Sequence, residues 1–331
     1  MKVLIVGKGS YLGEKFAKYC NPGPAYSNLH VVGAGSSRPE DIEPGTLRIN
    51  ADNASNVISP GREDPAPTTC IAADCGLSYA VDTVDSYEGW QTADFAQYDS
   101  ILMVAGIAHN PKADKALYYA VNRDLAIAVA KKAKSSGVGQ FVYVSTMAVY
   151  GKTRGEITVQ TIPNPHPKDH YGLSKYQAEK ALAEICPAGL CIVRPPMVYG
   201  PACPGNFSKL VKLARRTPIF PDIGNKRSMI YITNLCAFFA YAIENGLQGV
   251  HLPQNIEHVN TTALVREINK KIRTTRLFNP VIHVVRRFIS PLDKLFGNLY
   301  YAHDPLEEAY NLVCFEESIQ KSAFSQIIKA Y

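Results

Sequence analysis

The stretch Lys2-Val3-Leu4-Ile5-Val6-Gly7-Lys8-Gly9-Ser10-Tyr11-Leu12-Gly13-Glu14-Lys15-Phe16 decides the fold. Val3–Val6 is short and wholly apolar, as a parallel strand buried on both faces must be. Gly7, Gly9, Ser10 and Gly13 then keep the chain small through a turn, and Tyr11–Tyr19 reads as a helix. A strand, a glycine-rich turn and a helix let the backbone approach a pyrophosphate, with amide donors and a positive dipole at the helix start. A tight turn without a ligand uses the same glycines, so the surroundings have to decide.

Those surroundings alternate. Leu29–Gly33, Ser100–Ala105 and Gln140–Ser145 read as further strands, and Leu117–Lys134 as a helix. Ile49–Cys75, with Pro60, Pro65 and Pro67, reads as loop. Repeated βαβ units imply an α/β, Rossmann-type, doubly wound parallel sheet. Beyond Gly151 a helix is expected over Tyr171–Glu184 and a strand over Leu190–Val193. Pro195-Pro196 and Pro201-Ala202-Cys203-Pro204-Gly205 take the chain off the sheet. Met229–Ile232 reads as a strand returning to it, with Leu235–Glu244 as its helix. The expected division is residues 1–195 with about 227–248 as the sheet domain, and 196–226 with 249–331 as a smaller C-terminal lobe.

Composition bounds the class. The chain has 331 residues, 46% hydrophobic and 19% charged, so it can bury a core and is not a disordered chain. No apolar run reaches the roughly 20 residues of a membrane span. Glu14, Lys15 and Lys18 follow the first apolar run too closely for a signal peptide, so the expected location is cytoplasmic. Eight cysteines, with the pairs Cys70/Cys75 and Cys186/Cys191 each five apart, fit neither a redox nor a zinc motif. All are expected reduced, and no metal site is expected. Arg266–Lys294 carries eight basic and two acidic residues, the whole net charge of +6. Its interleaved Phe278, Ile282, Val285, Phe288 and Ile289 would suit a membrane surface. Packing as a lobe over a ligand is the favoured alternative, since Pro280 and Pro291 break any long helix. Nucleic acid is not an expected partner.

Three groups carry chemistry. About 20 residues past Gly13, an acid would hold the ribose 2′-hydroxyl of NAD. The run is Gly33-Ala34-Gly35-Ser36-Ser37-Arg38, without a carboxylate. Ser36, Ser37 and Arg38 suit a 2′-phosphate, which leans from NAD towards NADP(H). Tyr171-Gly172-Leu173-Ser174-Lys175 puts a phenol and an ammonium on one helix face. A cation near the phenol lowers its pKa towards use as a general acid/base. Phe141-Val142-Tyr143-Val144-Ser145-Thr146 is a strand ending in hydroxyls, where α/β sheets bind ligands.

Together the glycine turn, Ser145-Thr146 before Val149-Tyr150-Gly151, and Tyr171-x-x-x-Lys175 resemble the extended short-chain dehydrogenase/reductases, the NAD-dependent epimerase/dehydratase family. Val121-Asn122, Arg194-Pro195-Pro196-Met197-Val198-Tyr199-Gly200-Pro201, Gly205-Asn206-Phe207 and Arg227-Ser228 extend the likeness over about residues 1–250. The resemblance implies hydride transfer at C4 of a nucleotide-diphospho-sugar, as 4-epimerase or 4-keto-sugar reductase. It assigns Thr146 to the sugar oxygen, with Ser145 beside it, and Tyr171 to its proton. Lys175 would bind the nicotinamide ribose and depress Tyr171. Gly7, Gly9, Ser10, Tyr11, Leu12, Gly13 and Asn122 fall to the cofactor, and Asn206 and Arg227 to the diphosphate. Met147 and Ala148 stand where dehydratases carry an acid pair, which argues against water loss. Met197 replaces an asparagine common in 4-epimerases. Phe220-Pro221-Asp222-Ile223-Gly224 looks like relatives from bacterial surface-polysaccharide clusters, which implies a UDP-hexose or UDP-N-acetylhexosamine. The expected assembly is a homodimer. A non-catalytic dinucleotide sensor is the other class, but it would have lost Tyr171 or Lys175.

Overall fold

The computed structural model describes residues 1–21, 80–86, 88–108, 114–166, 168–277 and 296–328. The expected strand Leu29–Gly33, Ser36–Arg38 and most of the basic stretch lie outside these residues. In chain order the elements are β1 (Lys2–Val6), α1 (Tyr11–Cys20), β2 (Ala80–Val84), α2 (Gly89–Thr92), β3 (Ser100–Met103), α3 (Lys115–Tyr119), α4 (Leu125–Ser135) and β4 (Gln140–Val144). Then come β5 (Gly155–Ile157), α5 (His170–Ile185), β6 (Leu190–Val193), β7 (Met197–Tyr199), α6 (Asn206–Arg216), β8 (Ile219–Pro221), β9 (Met229–Tyr231) and α7 (Ile232–Glu244). β10 (Gly249–His251), α8 (Thr261–Ile268), β11 (Arg273–Thr275) and β12 (Leu299–Tyr301) follow.

Among the described residues, six strands form one parallel sheet in the order β10-β6-β4-β3-β1-β2. The inner strands β3, β4 and β6 are buried at every position, which is why their sequences are continuous apolar runs. Each face has its own core. On one, Phe16 of α1 meets Phe239 of α7 edge to face at 5.7 Å. On the other, Ala126, Val129, Ala130 and Ala133 of α4 pack with Ala178 and Leu182 of α5. Helices on both faces make the sheet doubly wound.

Two strand readings need correction. Met229–Tyr231 does not return to the main sheet; it pairs in parallel with β7 as a separate ribbon. Gly249–His251 instead pairs in parallel with β6 and is outermost there among the described residues. Next to β1 lies β2, a run that sequence analysis left unassigned. It is the outermost strand on that side among the described residues, and none of its positions is fully buried.

The expected single helix over Leu117–Lys134 is continuous but not regular. A π turn, Ala120–Asp124, joins α3 to α4 and leaves Asn122 buried. Such an extra residue in a turn often marks a functional position.

α5 is fixed to the sheet by polar contacts. Arg194, just past β6, clamps Glu179 with two hydrogen bonds, 3.0 Å from Nε and 2.6 Å from Nη2. Its Nη1 donates to Tyr150 Oη at 2.7 Å, and its carbonyl accepts from Tyr301 Oη at 2.8 Å. Both ions are buried. Arg194→Met should therefore destabilise the protein by about 3–5 kcal/mol, because the Glu179 carboxylate is left buried and unpaired. Adding Glu179→Met should recover most of that loss in chemical denaturation; a second loss of the same size would refute the clamp.

Candidate functional site

Three loops leave the carboxyl ends of neighbouring strands β1, β3 and β4, and the site is built from them. The first is Gly7–Gly13. Gly7 has φ +131°, and a Cβ there would sit 2.8 Å from Ala105 N, so only glycine brings this turn against the β3 loop. The Ser10 side chain accepts from Gly13 N at 3.1 Å and its carbonyl from Glu14 N at 3.0 Å. That capping leaves the amides of Tyr11 and Leu12 at the start of α1 without intrahelical acceptors. Ser10, in the position of a family glycine, is therefore a helix cap whose hydroxyl proton remains available to an anion. The Tyr11 phenol is turned away, donating to Pro201 O at 3.1 Å.

The second loop, Val104–Ile107, connects the turn to the helix residues. Asn122 Oδ1 accepts from Ile107 N at 2.8 Å, and Nδ2 donates to Ile107 O and to Ser174 Oγ, both at 3.1 Å. A Cβ on Gly106 would lie 3.0 Å from Lys175 Nζ and 3.1 Å from Asn122 Oδ1. The π turn thus delivers Asn122 between the β3 loop and α5. Tyr143 Oη donates to the Asn122 carbonyl at 2.9 Å.

The third is the end of β4. Lys175 is 3% exposed and donates from Nζ to Val144 O at 2.9 Å. The same ammonium lies 4.8 Å from the ring centre of Tyr143. Burial lowers Lys175 to about 8, against a smaller upward pull from Glu179. Thr146 caps the short helical turn Met147–Tyr150, accepting from Ala148 N at 3.2 Å. Its side chain also hydrogen-bonds Tyr171. Ser145 Oγ is buried, its residue 3% exposed, and has no hydrogen-bond partner among the described residues.

The proton balance at Tyr171 differs from what the resemblance implied. Burial raises this phenol; the Thr146 hydrogen bond works downward, while Asp169 and Tyr118 push it further up. Thr146, rather than Lys175, supplies the lowering contact. The reason is geometric: the Lys175 ammonium is directed at Val144 O and the Tyr143 ring.

The structure therefore brings Ser145, Thr146, Tyr171, Lys175 and Asn122 together, with Gly7–Gly13 adjoining through Ala105 and Gly106. Asn206 is exposed at the first position of α6. Arg227 lies between β8 and β9, with Nη1 donating to Gly297 O at 3.1 Å and its backbone paired with Val259. Gly106, Ser174, Tyr143 and Glu179 escaped the sequence reading. Ser174 and Tyr143 lie within quoted motifs and Glu179 within the expected helix, but nothing in a helix or strand pattern says which side chain reaches across.

The comparisons with known proteins agree with this geometry. The profile of the NAD dependent epimerase/dehydratase family matches residues 3–256. A UDP-glucose 4-epimerase of Vibrio cholerae is 35% identical over 161 residues, 46% of this chain and 49% of that protein. An N-acetyl-α-D-glucosaminyl-diphospho-ditrans,octacis-undecaprenol 4-epimerase of Escherichia coli O157:H7 is 29% identical over 62% of this chain and 65% of its own length. The chain thus spans about half to two thirds of these curated relatives. The crystal structure of UDP-glucuronic acid 4-epimerase from Bacillus cereus with NAD superposes with a TM-score of 0.61 at 18% identity, covering 100% of both chains, and so shares the fold. No helix among the described residues is long and apolar enough to cross a membrane. A doubly wound sheet with a glycine turn on β1, matched by the family profile over most of its length, places this chain in the NAD dependent epimerase/dehydratase family.

Proposed function

We propose that this chain is an NAD(P)-dependent 4-epimerase of a UDP-hexose or UDP-N-acetylhexosamine, serving surface polysaccharide synthesis. The observation that carries the reading is the Tyr171 phenol hydrogen-bonded to Thr146, four residues before a buried ammonium, at the end of β4. Both curated relatives described above are 4-epimerases by name.

The residues fit a dinucleotide. The cradle at Gly7 closes if a Cβ is added, the Tyr11 and Leu12 amides at the start of α1 lack intrahelical acceptors, and Ser145 Oγ is a buried hydroxyl with no partner among the described residues. Gly7–Gly13 would hold the pyrophosphate, and Asn122 and Lys175 the nicotinamide end. When bound, the nicotinamide would supply reversible hydride transfer at the sugar carbon.

The chain's own residues handle the proton and the orientation. Thr146 holds the phenol of Tyr171 and the sugar oxygen in one hydrogen-bonded line. Tyr171 takes and returns the proton on that oxygen. With the phenol raised by burial, it carries its proton at neutral pH unless a positive neighbour assists. Lys175, lowered to about 8, is still mostly protonated at pH 7 and keeps positive charge beside the site. Asn206 and Arg227 would hold the diphosphate, Arg227 with its planar fork. Met147 and Ala148 occupy the first positions of the turn that Thr146 caps, and neither can move a proton. No dehydration is therefore expected. A homodimer in the cytoplasm is the assembly and place we infer for it.

A second reading, 4-keto-sugar reduction with NADPH, rests on the sequence alone: Ser36, Ser37 and Arg38, which lie outside the described residues, carry no acid, whereas the strand beside β1 is Ala80–Val84 and is followed by Asp85. Proton NMR of UDP-glucose and UDP-N-acetylglucosamine incubated with the protein separates the two. Appearance of the C4 epimer, with NAD released on denaturation, supports epimerase. No epimer, together with NADPH consumption on a 4-keto sugar, would replace it with reductase.

Tyr171→Phe keeps the ring and should lower kcat at least ~10²-fold, the low end for a lost acid/base, with UDP binding retained in calorimetry. A kcat within about threefold of wild type on every sugar turned over would remove Tyr171 from this role. Thr146→Val should lower kcat less and move the rising limb of the pH profile to higher pH, since the contact that lowers Tyr171 is gone. For the cofactor, Arg38→Ala should weaken NADP(H) by about 1–3 kcal/mol and spare NAD(H); equal losses would rule out a 2′-phosphate contact.

A further inference from the structure

The Tyr11 side chain belongs to neither half of the proposed chemistry, yet it joins them. Its backbone sits at the start of α1 in the dinucleotide turn, while its hydroxyl donates to Pro201 O, 3.1 Å away. Lys15 Nζ lies 5.6 Å from its ring centre and fixes the ring from the helix side. The residues it grips are not relaxed loop. Ala202 is the one non-glycine residue with positive φ, +60°, among the described residues. A backbone held there costs free energy and persists only where its surroundings impose it.

The contacts continue from that point towards α6. Cys203 is buried, hydrogen-bonds the Tyr11 side chain, and donates from Sγ to Val198 O at 3.4 Å. Its carbonyl accepts from Ser208 Oγ at 2.6 Å, inside the first turn of α6. Asn206 opens that helix. A cleft of about 380 Å³ opens beside the joint, lined by Gly9, Tyr11, Lys15 and Lys18 on one side and Ala202 and Pro204 on the other. Along this cleft the turn and the loop stand apart, so Tyr11 is the strut across it.

We propose that Tyr11 is a positioning residue that couples the two ligands: a dinucleotide seated on the Gly7–Gly13 turn fixes Tyr11, and Tyr11 fixes residues 200–208, which set α6 and Asn206 for the sugar diphosphate. The sugar-diphosphate end of this proposal rests on the function proposed above; the coupling of turn to loop does not.

Tyr11→Phe removes only the hydroxyl, and two readouts test it. The first is hydrogen exchange of residues 200–208 in nucleotide-stripped protein, with and without saturating NAD. Wild type should gain protection of about tenfold or more on adding NAD; Tyr11→Phe should gain little. The second is the Kd for UDP measured by calorimetry with and without NAD. The wild-type ratio should exceed about fivefold and fall towards one in the variant. A merely structural role would lower stability and leave the NAD-dependent change intact. Equal NAD-induced protection in both proteins overturns the coupling. If exchange behaves as expected but wild type binds no UDP, the coupling stands and the nucleotide-sugar reading fails.

Discussion

The site depends on one ammonium kept out of water. Lys175 is 3% exposed, and moving an ion of that size out of water costs several kcal/mol even after relaxation. What offsets that cost is specific. Val144 O accepts a hydrogen bond, the face of Tyr143 lies beneath the charge, and Glu179 attracts it from one turn further along α5. Glu179 is itself held by Arg194, and Arg194 by Tyr150. Every one of these partners sits on α5, at the end of β4, in the turn Met147–Tyr150 that follows it, or just past β6. The position of Tyr171, four residues earlier on the same helix, follows from where Lys175 can be satisfied.

This explains why the Tyr171 and Lys175 pair was legible in sequence and its support was not. Tyr171-x-x-x-Lys175 is a local spacing, set by the period of one helix. The glycine turn is equally local, as is the apolar run of each inner strand. By contrast, Arg194 reaches Glu179 from 15 residues away, and Ile107 reaches Asn122 over the same separation. No periodicity encodes those meetings. Strand pairing failed for the same reason. Met229–Tyr231 is apolar enough for the main sheet, but only the course of the chain through residues 195–205 shows that it joins β7 instead. Ala80–Val84 went unassigned because its partly exposed positions carry polar residues, so it has no continuous apolar run.

The departures from the family pattern have physical readings. Ser10 in place of glycine caps α1 through its side chain, so the turn gains a fixed helix start. The Tyr11 phenol, free of the phosphate, spans to the loop that leads to α6. At Tyr171, the Thr146 hydrogen bond works downward while burial raises the phenol, so the hydroxyl past the end of β4 tunes it.

The buried ammonium can be measured without any substrate. In the fold Lys175 loses its proton near pH 8, whereas the unfolded chain holds it to about 10.5. Between those values the unfolded state binds more protons, so this group's contribution to stability rises with pH and is lost as pH falls through 8. Chemical denaturation of nucleotide-free wild type and Lys175→Met, compared at steps from pH 7 to 10.5, isolates it from other titrating groups. The account predicts that the difference moves in favour of wild type by about 3 kcal/mol over that range, from 1.36 kcal/mol per pKa unit. A difference that stays flat would mean that Lys175 is solvated, and that α5 is placed by something other than its charge.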